Sequence, residues 1–453
     1  MTDAAENKET TSDHLQKVSE ALETGTLYRA SRMLNALHPA EIADLLEAVP
    51  HNQRAPLWKL VNKDNESDVL IELGDEIRNE LIKDMSPEQL SSVAEGMDVD
   101  DSADFVQALP DKVIDQVLHS LDSQHRERLE QVLSFTEDSA GGLMNTDTIT
   151  VRPEVTLDVV LRYLRLLGEI PDLTDNLIVV DRDNHFLGTL PLSRLLVTDP
   201  QSNVGKVMDN QSQPIPSDTL ATEVAKMFEN YDLISAPVVD TNNHLLGRIT
   251  IDDVVDVIRE EADHSVLSMA GLNDEEDLFA PIIPSSKRRA LWLGINLLTA
   301  ILASWVVSYF ETTLQKVVTV AVLMNIVASM GGIAGSQTLT LVIRGIALGQ
   351  VNNNNQRWIL NKEIMVSLFN GVLWACVIAG VTMVWFRDIP LGFVIAGALI
   401  TNLLVAALSG VAIPIILRKL NIDPAIAGSV ILTTMTDIIG LFVFLGLATV
   451  FLL

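Results

Sequence analysis

The chain has 453 residues, 60 acids against 31 Lys and Arg, a formal net charge of −29 and a single cysteine, Cys376. Such a length exceeds one hydrophobic core, and one cysteine excludes an intrachain disulfide; in its apolar run it reads as a small buried hydrophobe. The acidic balance argues against nucleic acid as a partner, and no Walker loop, H-x-x-x-H pair or other catalytic spacing occurs, so an enzyme is not expected.

Charge is unevenly placed. From Ser285 onward there are five acids (Glu311, Glu363, Asp388, Asp423, Asp437) and ten Lys or Arg, which leaves 55 acids and 21 bases in residues 1–284. The first part is water-soluble in composition, and the rest carries long apolar runs suited to a bilayer. Residues 1–20 are polar and acidic, without the apolar stretch of a signal peptide, so the soluble part is expected in the cytoplasm.

Residues 1–138 read as an all-α domain of short helical hairpins. "LHPAEIADLLEAVP", "MSPEQLSSVAEGMD" and "MDVDDSADFVQALP" echo one another, each with Pro or Asp near a helix start and apolar residues three and four apart. The last echo carries Asp100, Asp101 and Asp104. Such a stack serves either as scaffold or as a sensor surface.

Over residues 139–263 the pattern changes to a duplicated α/β plan, about 139–200 and 201–263. "NLIVVDRDNHFLGTLPLSRLL" aligns with "SAPVVDTNNHLLGRITIDDVV" at a period of about 60 residues. This pair resembles a tandem CBS domain. The resemblance implies adenine-nucleotide binding near Gly247, Thr250 and Asp253; the competing reading of "GRITIDD" is a strand followed by a helix cap with dipole-complementing acids. Beyond it, "DDVVDVIREEADHS" places Asp252, Asp253, Asp256, Glu260, Glu261 and Asp263 on one helix. Packing such acids against an already acidic domain costs repulsion unless hard cations lie between.

Five spans follow: Ala290–Phe310, Val317–Ile343, Ile364–Phe386, Leu391–Leu417 and Pro424–Leu453. With the N-terminus inside, Lys287, Arg288, Arg289, Arg344, Arg357, Lys362, Arg418 and Lys419 fall inside, and Lys316 and Arg387 outside. The C-terminus is then outside. Asp437 lies 13 residues past Pro424, about 20 Å along the fifth span. An acid at mid-bilayer costs at least ~2.5 kcal/mol, so it should face protein or water. Thr433 and Thr434 share its face, and no intramembrane Lys, Arg or His is available as counter-charge. A transported cation or proton is the simplest substitute; the structural reading is a hydrogen-bonded Asp joining two helices. Asn325, Ser329, Gln337 and Thr338, with Asn370, Thr401, Asn402 and Ser409, are either interhelical contacts or pore groups. Gly331 and Gly335 make a GxxxG spacing for close helix approach, and the adjacent Gly331 and Gly332 are a place for the helix to break and expose carbonyl oxygens.

"MGGIAGSQTLTLVIRGIALGQ", "NIDPAIAGSVILTTMTDIIG", "LHPAEIADLLE", "SAGGLM" and the CBS pair together resemble the MgtE family of magnesium channels or transporters, in the same domain order. The resemblance implies a homodimer in a bacterial inner membrane, conducting Mg2+ through a pore between subunits with Asp437 as ion-selecting acid. Asn325, Gly331, Gly332, Gln337, Asn402, Thr433, Thr434 and Thr436 become pore-lining candidates. It also implies a connecting helix over 264–284, a five-helix pore domain over 285–453, and closure when Mg2+ fills acidic interfaces that include Asp100, Asp101, Asp104 and the acids of 252–263. The chain departs from the family at Ile333, where an Asn is usual, and at Asp263, His264 and Ser265, where further acids are usual. Two rivals stand: a CBS-based nucleotide-sensing membrane regulator, which would not need Asp437, and a proton-coupled cation transporter, which would need a second relay group.

Overall fold

The structure is a computed structural model that describes residues 27–83, 85–272, 277–420 and 422–453. Residues 1–26 of the expected helical domain and 273–276 of the expected connecting segment lie outside these. The chain divides into two compact units, Met1–Asp263 with Glu275–Pro281 and His264–Asp274 with Ile282–Leu453.

The first unit begins with short helices from Leu27–Leu34 to Ser123–Val132. The echoes in the sequence are helix starts. His38 and Ser86 each cap a helix in a reciprocal capping box, with Glu41 and Gln89 returning the bond, and Pro39 and Pro87 take the first turn, where a missing N–H costs nothing. Ile42, Leu45, Leu46, Leu70 and Phe105 are fully buried between the helices. The same core continues through Ala140 and Met144 to Ile215, Phe228 and Ile249, joining the helices to the second sheet.

The two sheets have one plan. Strand β1 (Thr150–Val151) is parallel to β2 (Asn176–Val180), which is antiparallel to β3 (Phe186–Pro191); β4 (Ile215–Pro216), β5 (Ser235–Val239) and β6 (Leu245–Thr250) repeat it. Both hairpins turn at an Asn with φ of +67°, Asn184 and Asn243, a conformation Asn tolerates better than most residues. The turns clasp each other: the Asn184 side chain donates to the Leu245 carbonyl and that of Asn243 to the Phe186 carbonyl, with His185 and His244 stacked between them at 4.4 Å.

The second unit holds five helices long and apolar enough to cross a membrane: Ile282–Ser308, Val318–Ala347, Gln356–Phe386, Ile389–Lys419 and Pro424–Leu452. The fourth is the most enclosed, packed by the second, third and fifth. Gly410 permits its approach to the second span, since a Cβ there would lie 2.9 Å from Thr338, and Gly335 does the same between the second and fifth spans, where a Cβ would lie 2.9 Å from Leu432. Two expectations change. The second span is an uninterrupted helix across Gly331 and Gly332, with Gly331 packed closely on Asn402 and open space beside Gly332. Cys376, expected buried, is exposed on the third span, where lipid is as apolar a neighbour as a core. In the segment 264–284, helix continues only through Met269 and resumes at Ile282.

Arg54 is 1% exposed yet charged, and it is held from three directions. Its Nε donates to the Leu46 carbonyl, and its Nη1 pairs with Asp277 at 2.6 Å and Glu80 at 3.2 Å. The Asp277 amide in turn donates to Glu76, so the stretch before the first span is fastened to the helical domain. Removing one member of a buried ion pair costs about 3–5 kcal/mol. Arg54→Ala should therefore lower the thermal midpoint of the full-length protein markedly, whereas Lys83→Ala, on an unpaired surface side chain, should leave it unchanged; equal midpoints would contradict the clamp.

Candidate functional site

In the fifth span, Asp423 caps the start by accepting the Ala425 amide at 2.8 Å, and Pro424 opens the first turn. Ser429, Thr433 and Asp437 then follow at four-residue spacing, which on an α-helix is one face. Asp437 is half-buried and makes no hydrogen bond or ion pair with any described residue. The hydroxyls of Thr433 and Thr434 donate to the Ser429 and Val430 carbonyls of their own helix. That spends each proton inward and leaves oxygen lone pairs for a cation or its hydration water. Thr436, also among the pore candidates, is fully buried and bonds to Leu432 and Thr433. Beside Ser429 and Thr433 is a cavity of 220 Å³, bounded by Trp292 and Asn296 of the first span and by Ala270 and Gly271. Room for water thus exists one turn from the acid.

The second span separates its polar residues by face. Asn325, Ser329, Ser336 and Gln337 are exposed, as is Ile333, and Gly332 is half-buried. Gly331 faces inward, where a Cβ would lie 2.2 Å from the Asn402 side chain; Asn402 meets Gly440 from its other side and donates to the Val327 carbonyl at 2.7 Å. Asn402, with no exposed surface, is thereby placed inside the packing of the second, fourth and fifth spans and not beside Asn325. Sequence reasoning passed over Glu363, counted among the acids but set just outside the third span. It is buried, accepts from Thr338 at 3.2 Å and pairs with Lys362 at 2.8 Å.

In the soluble unit the structure brings together seven of the nine acids expected to bind cations. Asp100, Asp101 and Asp104 on the Val99–Gln107 helix face Asp252, Asp253, Asp256 and Glu260 on the Ile251–Met269 helix. Glu261 and Asp263 lie further along the same helix and are exposed. Asp75, Asp98 and Glu137, which lie far apart in sequence, add to it. Burial first, and neighbouring carboxylates second, push Asp101 and Asp104 up to about 7 and Asp100 well above the ordinary range. Asp253 also rises to about 7, from burial and Asp252. Near neutral pH these carboxyls are therefore drawn toward their protonated form. The residues suit a hard divalent ion, which takes oxygen ligands and keeps part of its water.

Thr250 and Asp253, the nucleotide candidates, are engaged at the helix start. Asp253 accepts from the Thr250 amide at 3.2 Å and from its hydroxyl at 3.0 Å, and the hydroxyl also contacts Asp252. Asp181, Asp183 and His185 have metal-type side chains within reach of one another, but Asp181 is occupied by the Asp183 and His185 amides of its turn.

His264 Nε2 lies 2.8 Å from Asp423, the cap of the fifth span.

Residues 324–447 match a family described as a divalent cation transporter, residues 37–138 the MgtE intracellular N domain, and residues 204–260 a CBS domain. The magnesium transporter MgtE of Thermus thermophilus is 30% identical over 441 residues, covering 96% of this chain and 98% of that one. The chain belongs to the MgtE family. The magnesium transporter MgtE of Bacillus subtilis is 29% identical over 433 residues, 95% of this chain and 96% of the relative. A solved cytosolic domain of the Mg2+ channel MgtE in complex with ATP is 31% identical, with a TM-score of 0.50, over 54% of this chain and 99% of that chain. The MgtE-type chain described here is accordingly a multi-pass membrane protein with an intracellular N domain, a divalent cation transporter and not an enzyme.

An Asp in an unfolded chain titrates near about 4, and those of the acidic face titrate higher when folded. Their protonated form therefore favours the fold fully below about pH 4, and that contribution is lost as pH rises through about 7. In chelator, the thermal midpoint of the full-length protein should fall between about pH 5 and about pH 8, and Mg2+ added at the upper pH should raise it again. A midpoint indifferent to both would contradict the acidic face.

Proposed function

We propose that this chain carries magnesium across the bacterial cytoplasmic membrane through a pore between two copies, with the C-terminus on the outer side. Both Asp437 carboxylates face the path, and the pore closes when Mg2+ occupies the acidic face of the soluble unit. The observation that carries the reading is Asp437 itself, a carboxylate halfway along an apolar helix with no partner among the described residues. Such a charge persists in a bilayer only opposite water or a cation. The back-bonded threonines beside it offer acceptors and no donors, which suits a hydrated cation and not an anion.

The family relatives named as magnesium transporters favour Mg2+ over other divalent ions. The relative solved with ATP favours an adenine nucleotide as a modulator at Thr250 and Asp253. That nucleotide would share Asp253 with the acidic face, so the two ligands would influence each other. Proton coupling gains nothing from Glu363, which is already held by Thr338 and Lys362.

In vesicles holding the purified protein, Asp437→Ala should lose Mg2+ uptake by at least about tenfold, or ~1.4 kcal/mol of barrier, with an unchanged thermal midpoint. Retained uptake would sink the reading, and uptake that follows the external proton gradient would favour the proton-coupled rival. Asp101→Asn combined with Asp104→Asn and Asp256→Asn should flatten the dependence of uptake on internal Mg2+ while leaving maximal uptake intact.

A further inference from the structure

The inner rim of the membrane domain has an unmatched positive charge. Arg344, Arg357, Arg418 and Lys419 make no ion pair with any described residue. The acids of this rim are taken: Glu363 by Lys362 and Thr338, Asp423 by His264 and the Ala425 amide. Two of the four cations, Arg418 and Lys419 at the end of the fourth span, line a cavity of 470 Å³ between the ends of the second, third and fourth spans. Asn353 and Gln356 face the same space, and Ile346 and Ile415 form its apolar wall.

The cavity has an ordered edge. Gly349, at φ +67°, turns the chain out of the second span, the Gln350 and Val351 amides both return to the Gly345 carbonyl, and the Asn355 side chain donates to the Gln350 carbonyl at 2.6 Å. Asn353 and Gln356 are joined at 3.2 Å. Around the cavity the surface is apolar: Ile416 is 54% exposed and Leu420 62%, and Trp358 is 68% exposed on the adjoining turn of the third span. An aromatic of this kind at the end of a span belongs at the headgroup level.

We propose that this cavity binds the headgroup of an anionic phospholipid of the inner leaflet, its phosphate between Arg418 and Lys419 and its acyl chains along Ile415 and Ile416. Guanidinium, ammonium and two amides supply donors for phosphate oxygens, and basic pockets between spans on the cytoplasmic side are the expected place for such lipids. A free anion would use the charges but leave the apolar wall and its exposed margin without a partner. The volume is within the roughly 300–1,000 Å³ of small-molecule sites. The inference is independent of which ion is carried.

The test uses the full-length protein in nanodiscs of phosphatidylcholine with or without phosphatidylglycerol, reading retained lipid by native mass spectrometry and the thermal midpoint. Phosphatidylglycerol should be retained and should raise the midpoint. Arg418→Gln with Lys419→Gln should weaken retention roughly 10- to 30-fold, while Arg357→Gln, on the same rim outside the cavity, should not. Ile415→Trp fills the space with both charges intact, so it should also abolish retention even if the double variant inserts poorly. Undiminished retention in Ile415→Trp, equal loss in Arg357→Gln, or an equal rise in midpoint from inorganic phosphate in phosphatidylcholine discs would each overturn a lipid site here.

Discussion

A carboxylate halfway through a bilayer is expensive unless something positive or polar faces it, and Asp437 has no such group bonded to it among the described residues. Its neighbours on the fifth span share the condition, since Thr433 and Thr434 turn their protons to their own helix. Much of the membrane unit can be read as the scaffold this acid requires. Small residues bring the helices close: Gly335 accommodates Leu432, and Gly440 accommodates Asn402. The buried Asn402 bond to Val327 ties the fourth span to the second. The fifth span is thus held firmly on one side while its polar face stays available.

The soluble unit meets the same physics with the sign unchanged and the solvent different. Carboxylates on two helices are packed closely enough that burial and mutual repulsion raise their affinity for protons into the neutral range. A group that prefers a proton at neutral pH is also one that gains from a divalent ion. Near water, that ion can retain part of its hydration shell, so binding need not be tight. Ionising this arrangement is therefore costly by itself, whereas Arg54 is met by two carboxylates that the protein itself supplies.

What could be read from sequence follows from which interactions are local. Hydropathy located five spans, and the repeated Asn-His turns revealed the duplicated sheet, because both signals lie within a short stretch of chain. The third span begins at Gln356, earlier than hydropathy suggests, since Arg357, Lys362 and Glu363 hide its first turns. Asn325 and Asn402 looked alike because a helix apolar on every side has no polar face from which to tell inside from outside; only packing shows that one is exposed and the other enclosed. Likewise Asp75, Asp98 and Glu137 joined the acidic face through tertiary contact, and nothing in "HNQRAPLW" marks Arg54 as buried.

A cluster of several weak carboxylate sites responds to cations differently from a single tight site. Each bound cation shifts the balance by its differential affinity alone, and modest shifts add, so steepness comes from number and not from strength. On the Ile251–Met269 helix Asp252, Asp256 and Glu260 recur at four-residue spacing, which is one face, so each ionised acid raises the cost of ionising the next and a cation held by one lowers that cost for its neighbours.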